Sequence, residues 1–340
     1  MIQNQSFGLR QLLDHAAEFE YAIPAFNVNT LEQALAIMRA AEAERAPAIL
    51  QLTALSRQYL GDGLLPSIFA GLASSFPDVP VCLHLDHGFD LPSCASAISL
   101  GFNSVMIDGT FKSGLVEPSD FQDNLHLTAE VTQFAHSKGI SVEGALGVVG
   151  SLASCVGTPE DGIETTDVLS PDLLVTDLDQ AVQFVEQTKV DALAVAVGTT
   201  HGLNKFHHEP NEGELELGIL SAIHERLPNT HLVMHGCSSI PVELVDQINA
   251  NGGTLPPTWG MPISLIQFAI KRGLRKVNID TDNRLAMTAG IRKHLHDNPA
   301  NFDPRNYLQA GMDEVTALCR QRYQEFGASG RADRLRSGAC

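Results

Sequence analysis

The chain has 340 residues, and its hydrophobic fraction of 44% is enough for a full core in one α/β barrel or in two smaller domains. Its net charge of −18, with no run of lysines and arginines, excludes the basic face that a nucleic-acid-binding protein needs. No segment approaches the roughly 18 uninterrupted apolar residues of a membrane-spanning helix. The N-terminus lacks a signal-peptide pattern and the six cysteines show no paired spacing, so we expect a reduced, cytoplasmic protein.

Short apolar runs alternate with amphipathic stretches along nearly the whole chain. Most of the runs are continuously apolar, which is typical of parallel strands covered on both faces by helices. The predicted strands are Tyr21–Val28, Ala48–Thr53, Val81–Asp86, Ser104–Asp108, Ser141–Leu146, Ala192–Val197, Leu232–His235 and Lys276–Thr281.

Amphipathic stretches between these runs predict helices. The first follows Thr30, and Gln33 stands three residues later, which is a capping-box pattern. The predicted helices include Leu31–Ala43, Leu91–Leu100, Asp177–Gln187, Gly213–Arg226 and Pro241–Ala250. Eight strands, each followed by a helix, predict a closed (β/α)₈ barrel of the TIM type, with a doubly wound open sheet as the alternative.

Three segments interrupt or extend the alternation of strands and helices. A Gly/Ser/Asp-rich stretch over 148–174 predicts a mobile active-site loop. An extra helix, Ile263–Arg272, precedes the eighth strand, and Pro304–Phe326 predicts a helix within a C-terminal extension over about 304–340. We therefore expect a single barrel domain over 1–340, whose extension either caps the fold or mediates assembly.

Three separated histidines, His87, His201 and His235, each stand before a glycine at the end of an apolar run. Barrel enzymes carry their active sites at the carboxyl ends of the strands, so these side chains are expected to converge. Three histidines with one open position form the ligand set of a catalytic zinc ion. Asp86 precedes the first of them and would bring a carboxylate for proton transfer beside a Lewis acid. A single histidine at such a place would more often have a structural role. Because all three share the same place at the end of a strand, we favour metal ligation.

Turns near these histidines offer groups that bind anions. Gly202, Gly236 and Ser238 supply backbone amides and a hydroxyl in tight turns. Phosphates in barrels often lie at the loops after strands seven and eight, where Lys205 and Arg284 could add positive charge. The alternative is ordinary turn chemistry with a solvated lysine and arginine.

Many ordered motifs together resemble the class II, metal-dependent fructose-bisphosphate aldolase family over nearly the whole chain. They are Ile23–Asn29, His84–Gly88, Ser104–Gly109, Val142–Gly144, Asp191–Val195, Gly198–Gly202, Val233–Pro241, Arg275–Asp282 and Phe302–Arg305. The resemblance implies a (β/α)₈ barrel, one catalytic Zn²⁺ and a homodimer or homotetramer. It also implies reversible cleavage of a sugar bisphosphate, fructose 1,6-bisphosphate, to dihydroxyacetone phosphate and glyceraldehyde 3-phosphate. It leaves open whether a monovalent cation assists.

The same resemblance assigns roles to individual residues. His87, His201 and His235 would hold the metal, and Asp86 would be the acid/base at the C4 hydroxyl of the substrate. The expected substrate and phosphate contacts are Asn27, Thr53, Gly202, Lys205, Gly236, Ser238, Asn278, Asp280, Thr281 and Arg284.

The sequence departs from the family pattern in three places. Ala145 and Ala153 stand where glutamates are usual, and Thr53-Ala54-Leu55 replaces the usual Ser-Arg-Gly. One interpretation is a divergent, active aldolase whose metal is held by histidines alone. A second is a paralogue acting on another ketose phosphate, such as tagatose 1,6-bisphosphate. A third is a catalytically weak paralogue with a metal-binding or regulatory role.

Overall fold

The computed structural model describes residues 7–112, 118–147, 174–199, 206, 208–211, 213 and 215–337. Eight parallel strands hydrogen-bond in chain order, and the eighth closes on the first. They are β1 (Ile23–Asn27), β2 (Ala48–Leu52), β3 (Val81–Gly88), β4 (Ser104–Ile107), β5 (Ser141–Leu146), β6 (Ala192–Val195), β7 (His231–Met234) and β8 (Leu274–Ile279). The predicted barrel is confirmed, each strand end lies within two residues of its prediction, and the open-sheet alternative is wrong.

The described helices surround the barrel and extend beyond it. They are α1 (Leu9–Glu18), α2 (Leu31–Glu44), α3 (Ala54–Leu60), α4 (Leu65–Ser75), α5 (Leu91–Ser99), α6 (Phe121–His136), α7 (Leu178–Thr188), α8 (Gly218–Arg226), α9 (Val242–Ala250), α10 (Ile263–Ile270), α11 (Thr281–Asp297), α12 (Pro304–Glu325) and α13 (Ala332–Ser337). The extra helix before the last strand is confirmed as α10. None of the described helices is long and apolar enough to span a bilayer.

A capping box has two reciprocal hydrogen bonds, and at the start of α2 only one of the two predicted bonds forms. Thr30 Oγ1 accepts a hydrogen bond from the Gln33 amide at 3.2 Å, as an N-cap residue does. Gln33 Oε1 does not return to Thr30; it accepts from the Asn29 amide at 2.9 Å. The side chain of Gln33 therefore fixes the residue before the cap and ties the end of β1 to the helix.

Helix α1 precedes the barrel and was not among the predicted helices. Leu9, Leu12, Leu13 and Ala16 are fully buried at helical spacing. The helix meets the starts of the strands: the Arg10 amide donates to Ser141 Oγ of β5 at 3.2 Å. It therefore covers the amino-terminal end of the barrel, opposite the predicted site.

A histidine–aspartate pair joins α1 to β7. His231 Nε2 lies 2.7 Å from Asp14 Oδ1. Burial lowers the pKa of His231, and the hydrogen bond and charge of Asp14 oppose that shift only in part, while Arg10 and Arg275 add to it. Folded His231 thus binds its proton at lower pH than the unfolded chain does.

We expect the His231 site to make the fold less stable in acid. Because the folded pKa is lowered, the unfolded state binds more protons, so this contribution is present above about pH 6.5 and is lost as pH falls. Urea unfolding at pH 7.5 and 5.5 should show a smaller loss for His231→Gln than for the wild type. His296→Gln, on the exposed end of α11, should keep the wild-type difference. Equal losses in wild type and His231→Gln would contradict the assignment.

The C-terminal helix α12 lies along the barrel wall against α2 and α11. Its buried face includes Val315, Cys319 and Tyr323 at a spacing of four residues. The ring of Tyr323 packs edge-on against Phe26 of β1, with the centroids 5.5 Å apart. The extension thus contributes to the core around β1.

Candidate metal centre and active site

Asp86, His87 and His235 meet where β3 and β7 end. One possible ligand atom from each lies within 4.8 Å of the others, and all three side chains are buried. The two histidine rings cross at 81°, with their centroids 4.9 Å apart. The third predicted ligand, His201, lies outside the described residues.

The backbone of β3 explains how two consecutive residues reach one site. In a regular strand Asp86 and His87 would point to opposite faces of the sheet. Here His87 has a left-handed backbone with φ of 51°. The pairing of β3 with β4 also shifts register between Leu85 and Gly88. This irregularity brings both side chains to the mouth of the barrel, and such irregularities are common beside active sites.

Gly88 is required by packing. A Cβ there would lie 2.6 Å from Cys94 Sγ and 2.9 Å from the Met106 carbonyl oxygen of β4. A glycine after a metal ligand can let the backbone approach a bound group. At Gly88 the contact is instead with α5 and the neighbouring strand, while Gly236 adopts φ of +67° in a turn.

We expect Gly88→Ala to destabilise the fold by about 1–3 kcal/mol, the usual range for overpacking. It should also weaken metal binding, because the clash lies next to His87. Gly71→Ala on exposed α4, where an added Cβ meets nothing within 4 Å, is the control and should not destabilise. Denaturant unfolding and metal titration measure the two effects. A Gly88→Ala protein with wild-type stability would contradict this packing argument.

Each described histidine of the cluster is oriented by a buried carboxylate. His87 Nδ1 lies 2.8 Å from Asp108 Oδ2, and His235 Nε2 lies 2.9 Å from Glu143 Oε1. Each ring therefore keeps one nitrogen that is not hydrogen-bonded to these carboxylates. Such carboxylate–histidine pairs fix the ring orientation in metal sites. Burial alone would raise the pKa of Asp108, but His87 and Thr110 hold it below its ordinary value.

Removing the charge of Asp108 tests this support. Asp108→Asn is expected to lower metal affinity about 10- to 100-fold, the effect typical of such outer partners. Competition with a metal-binding dye measures the affinity. Asp313→Asn, an exposed change on α12, serves as the control. Unchanged affinity in Asp108→Asn would show that Asp108 does not support a metal ligand.

The cluster fits a divalent metal by its donor chemistry. Imidazole nitrogens and a carboxylate oxygen are common zinc ligands. The histidines are buried beside carboxylates that orient them, and the group lies at the end of the barrel where barrel enzymes carry their sites.

The carboxylate of Asp86 is held by three amides. Asn27 Nδ2 donates to Oδ2 at 2.8 Å, Gln51 Nε2 to Oδ2 at 3.3 Å, and Asn278 Nδ2 to Oδ1 at 3.2 Å. Burial would raise the pKa of Asp86, but His87, His235, Lys276 and the Asn27 bond outweigh it and keep the pKa below its ordinary value. The Asp86 carboxylate is therefore held ionised and in a fixed orientation.

The barrel interior below Asp86 is polar. Glu143 Oε2 and Lys276 Nζ are 2.9 Å apart and fully buried. Lys276 Nζ also donates to Asn278 Oδ1 at 2.6 Å. His84 lies 3.5 Å from Glu143, and burial together with Lys276 keeps its pKa well below its ordinary value. A continuous network thus joins Glu143, the partner of His235, to Asn278, a partner of Asp86.

The expected phosphate contacts that are described lie around the same barrel mouth. Thr53 caps α3, and the Asp280 amide donates to Ser238 Oγ at 3.3 Å. Arg284 NH2 lies 2.8 Å from Asp280 Oδ2. Thr281 opens α11 and Gly236 follows β7. Gly202 and Lys205 lie outside the described residues.

One polar side chain that the sequence did not single out joins these contacts. Asn29 accepts from Ser56 Oγ at 2.8 Å and donates to Asp280 Oδ1 at 2.9 Å. It therefore connects the ends of β1, β2 and β8.

Of the two alanines that stand where glutamates are usual in the family, only Ala145 lies within the described residues. Ala145 is fully buried in β5 and has the same strand parity as Glu143, so it faces the barrel interior. The intervening Gly144 faces the helices, since its added Cβ would meet Phe184 at 2.9 Å. Ala153 and the whole of the predicted loop over 148–174 except its last residue, Leu174, lie outside the described residues.

Comparison with known proteins agrees with this geometry. The family described as fructose-bisphosphate aldolase class-II matches residues 8–331. The chain belongs to this family. It is 49% identical over 328 residues to fructose-bisphosphate aldolase 2 of Cereibacter sphaeroides, covering 96% of this chain and 93% of the relative. It is 48% identical to fructose-bisphosphate aldolase of Rhizobium meliloti, covering 96% and 91%.

Solved structures share the barrel. The YdjI aldolase from Escherichia coli K12 has a TM-score of 0.73 at 25% identity, covering 96% of this chain and 99% of that one. Fructose-bisphosphate aldolase from Campylobacter jejuni has a TM-score of 0.70 at 20% identity, covering 96% and 97%. The second likeness shows the shared fold alone.

Sequence reasoning missed the residues that support this class II aldolase site. Gln51, Glu143 and Lys276 are polar residues inside buried strands, and Asp108 follows the last residue of β4. A buried polar side chain needs a partner. A polar residue at an inward position of a barrel strand was therefore the available signal.

Proposed function

We propose that the protein is a zinc-dependent aldolase that reversibly cleaves fructose 1,6-bisphosphate to dihydroxyacetone phosphate and glyceraldehyde 3-phosphate. The observation that carries the proposal is the cluster of Asp86, His87 and His235 at the mouth of a barrel. It is supported by relatives named fructose-bisphosphate aldolase, at 49% and 48% identity.

His87, His201 and His235 are the proposed zinc ligands. Their donor atoms are imidazole nitrogens, and Asp108 and Glu143 orient two of them. When bound, the ion acts as a Lewis acid that withdraws electron density from the substrate carbonyl group.

Asp86 is the proposed acid/base. Its lowered pKa leaves it ionised, so in cleavage it accepts the proton of the substrate C4 hydroxyl, and in condensation it returns that proton. Asn27, Gln51 and Asn278 hold its oxygens in place. This fixed orientation lowers the entropy that must be lost when substrate and base align.

The two phosphates of the substrate are the proposed anchors. The proposed substrate and phosphate contacts are Asn27, Thr53, Gly202, Lys205, Gly236, Ser238, Asn278, Asp280, Thr281 and Arg284. Remote binding energy of this kind holds the scissile bond beside the reacting groups.

Assembly and location belong to the same proposal. We expect a homodimer or homotetramer working in the cytoplasm on a small-molecule substrate. The described cysteines 82, 94, 237 and 319 are buried thiols, which fits a reducing compartment.

The decisive experiment is a substrate panel with zinc supplied. Purified protein should cleave fructose 1,6-bisphosphate in a coupled assay that detects the triose phosphates, and EDTA should abolish the activity until zinc is restored. Tagatose 1,6-bisphosphate and ketose monophosphates are the comparison substrates. No cleavage of fructose 1,6-bisphosphate above background at saturating zinc would overturn the proposal.

A further inference from the structure

Arg322 is a buried cation on α12, outside the barrel. It is 2% exposed. Its NH2 donates to Ser239 Oγ at 2.6 Å and lies 3.3 Å from Asp282 Oδ2, while Nε lies 3.4 Å from the same oxygen. Its NH1 pairs with Glu325 on the same helix at 2.5 Å. A C-terminal helix thus inserts a guanidinium between the turn after β7 and the first turn of α11.

Asp282, the partner of Arg322, holds the backbone of that turn. It is fully buried and accepts from the Ser239 amide at 3.1 Å, from Ser239 Oγ at 3.1 Å and from the Ile240 amide at 2.8 Å. The two bonds that the carboxylate accepts from the Ser239 and Ile240 amides fix the orientation of two consecutive peptide groups.

The backbone of the turn needs this restraint. Gly236 has φ of 67° and Ile240 has φ of 50°. A β-branched residue rarely adopts the left-handed region, so the conformation persists only where surrounding bonds impose it. The bond from Asp282 to the Ile240 amide is one such restraint.

We propose that Arg322 is a positioning residue that shapes the phosphate-binding turn Gly236–Ile240 through Asp282. The inference rests on the proposed function, in which Gly236 and Ser238 contact a phosphate of the substrate. Arg322 compensates the buried charge of Asp282, and Asp282 in turn aligns the peptide groups beside Ser238. The C-terminal extension is then part of substrate binding.

The test replaces Arg322 by methionine, which keeps a long unbranched side chain, and by lysine, which keeps the charge. Arg320→Met is the matched control on the same helix, because Arg320 makes a half-exposed pair with Glu44. The readouts are KM and kcat for fructose 1,6-bisphosphate, competitive inhibition by inorganic phosphate, zinc content, and amide hydrogen exchange of Ser239 and Ile240.

We expect Arg322→Met to raise KM and the phosphate inhibition constant about tenfold, since bonds to charged groups of this kind have about that effect. Changes in kcat should stay below about twofold, zinc content should be unchanged, and exchange at Ser239 and Ile240 should accelerate. The KM and the phosphate inhibition constant of Arg322→Lys should lie between those of Arg322→Met and the wild type. Arg320→Met should match the wild type in both. General destabilisation would not produce this split between KM and kcat.

Wild-type KM, phosphate inhibition and amide exchange in folded Arg322→Met would overturn the inference. If Arg322→Met does not fold, Arg322→Lys decides: a raised KM with faster exchange supports the role, and wild-type values refute it. A wild-type protein that neither cleaves the substrate nor binds phosphate would contradict the proposed function. Amide exchange in the variants would then still decide whether Arg322 holds the turn.

Discussion

Replacement of Asp86 by asparagine is expected to lower kcat for fructose 1,6-bisphosphate cleavage by about 10²- to 10⁴-fold, the range that a positioned acid or base contributes. The substitution keeps the shape of the side chain and one oxygen for the bonds from Asn27 and Gln51. It removes the charge that accepts the C4 proton in the proposed function. The reaction should therefore lose proton transfer while the site keeps its form.

Metal content separates this effect from collapse of the site. Zinc measured after gel filtration should remain near one ion per subunit if the three histidines hold it. KM should change little, since in the proposed function the phosphates anchor the substrate. Asp297→Asn, at an exposed pair with Lys293, should behave as wild type.

Two results would count against the role of Asp86. Activity within a few fold of wild type would show that another group takes the proton. Loss of zinc together with activity would show that Asp86 is a metal ligand, and the acid/base would then have to be sought elsewhere at the barrel mouth.

The barrel could be predicted from the sequence because strands and helices leave local signals. Continuous apolar runs such as Ala192–Val197 mark strands buried on both faces, and the eight predicted strands recur in chain order. Helix α1 was missed although Leu9, Leu12 and Leu13 show helical spacing, because the alternation of strands and helices begins only after it.

The convergence of Asp86, His87 and His235 was predictable from the sequence, whereas His201 lies outside the described residues. The carboxyl ends of barrel strands all lie at the same end of the barrel. The proximity of His87 and His235 could therefore be predicted from the sequence alone. Their carboxylate partners could not, because His235 and Glu143 are 92 positions apart and meet only through barrel closure. The shift of register that turns His87 beside Asp86 left no signal in the sequence.

The buried ion pair between Lys276 and Glu143 could not be predicted from the sequence either. Lys276 opens the predicted eighth strand, where a lysine would be expected at the surface. In the closed barrel it is fully buried against Glu143, and Asn278 accepts from its ammonium group. Lys276 and Asn278 lie on β8, Glu143 lies on β5, and its partner His235 follows β7. These strands come together only in the folded chain.

Lys276→Met is expected to destabilise the protein by about 3–5 kcal/mol, the effect of removing one partner from a buried ion pair. The methionine fills the space, but Glu143 keeps a charge in the barrel interior with His84 at 3.5 Å and His235 at 2.9 Å as its remaining partners. Urea unfolding followed by circular dichroism measures the loss. Lys293→Met, which breaks an exposed pair on α11, should leave the midpoint unchanged.

A double variant distinguishes an unpaired charge from simple loss of packing. Lys276→Met with Glu143→Gln removes both charges, so part of the stability lost in the single variant should return. Glu143→Gln also changes the partner of His235, and metal affinity should therefore fall although the fold recovers. If the double variant is less stable than Lys276→Met, the destabilisation arises from packing rather than from the buried charge of Glu143. If Lys276→Met itself is as stable as the wild type, the ion pair does not stabilise the barrel interior.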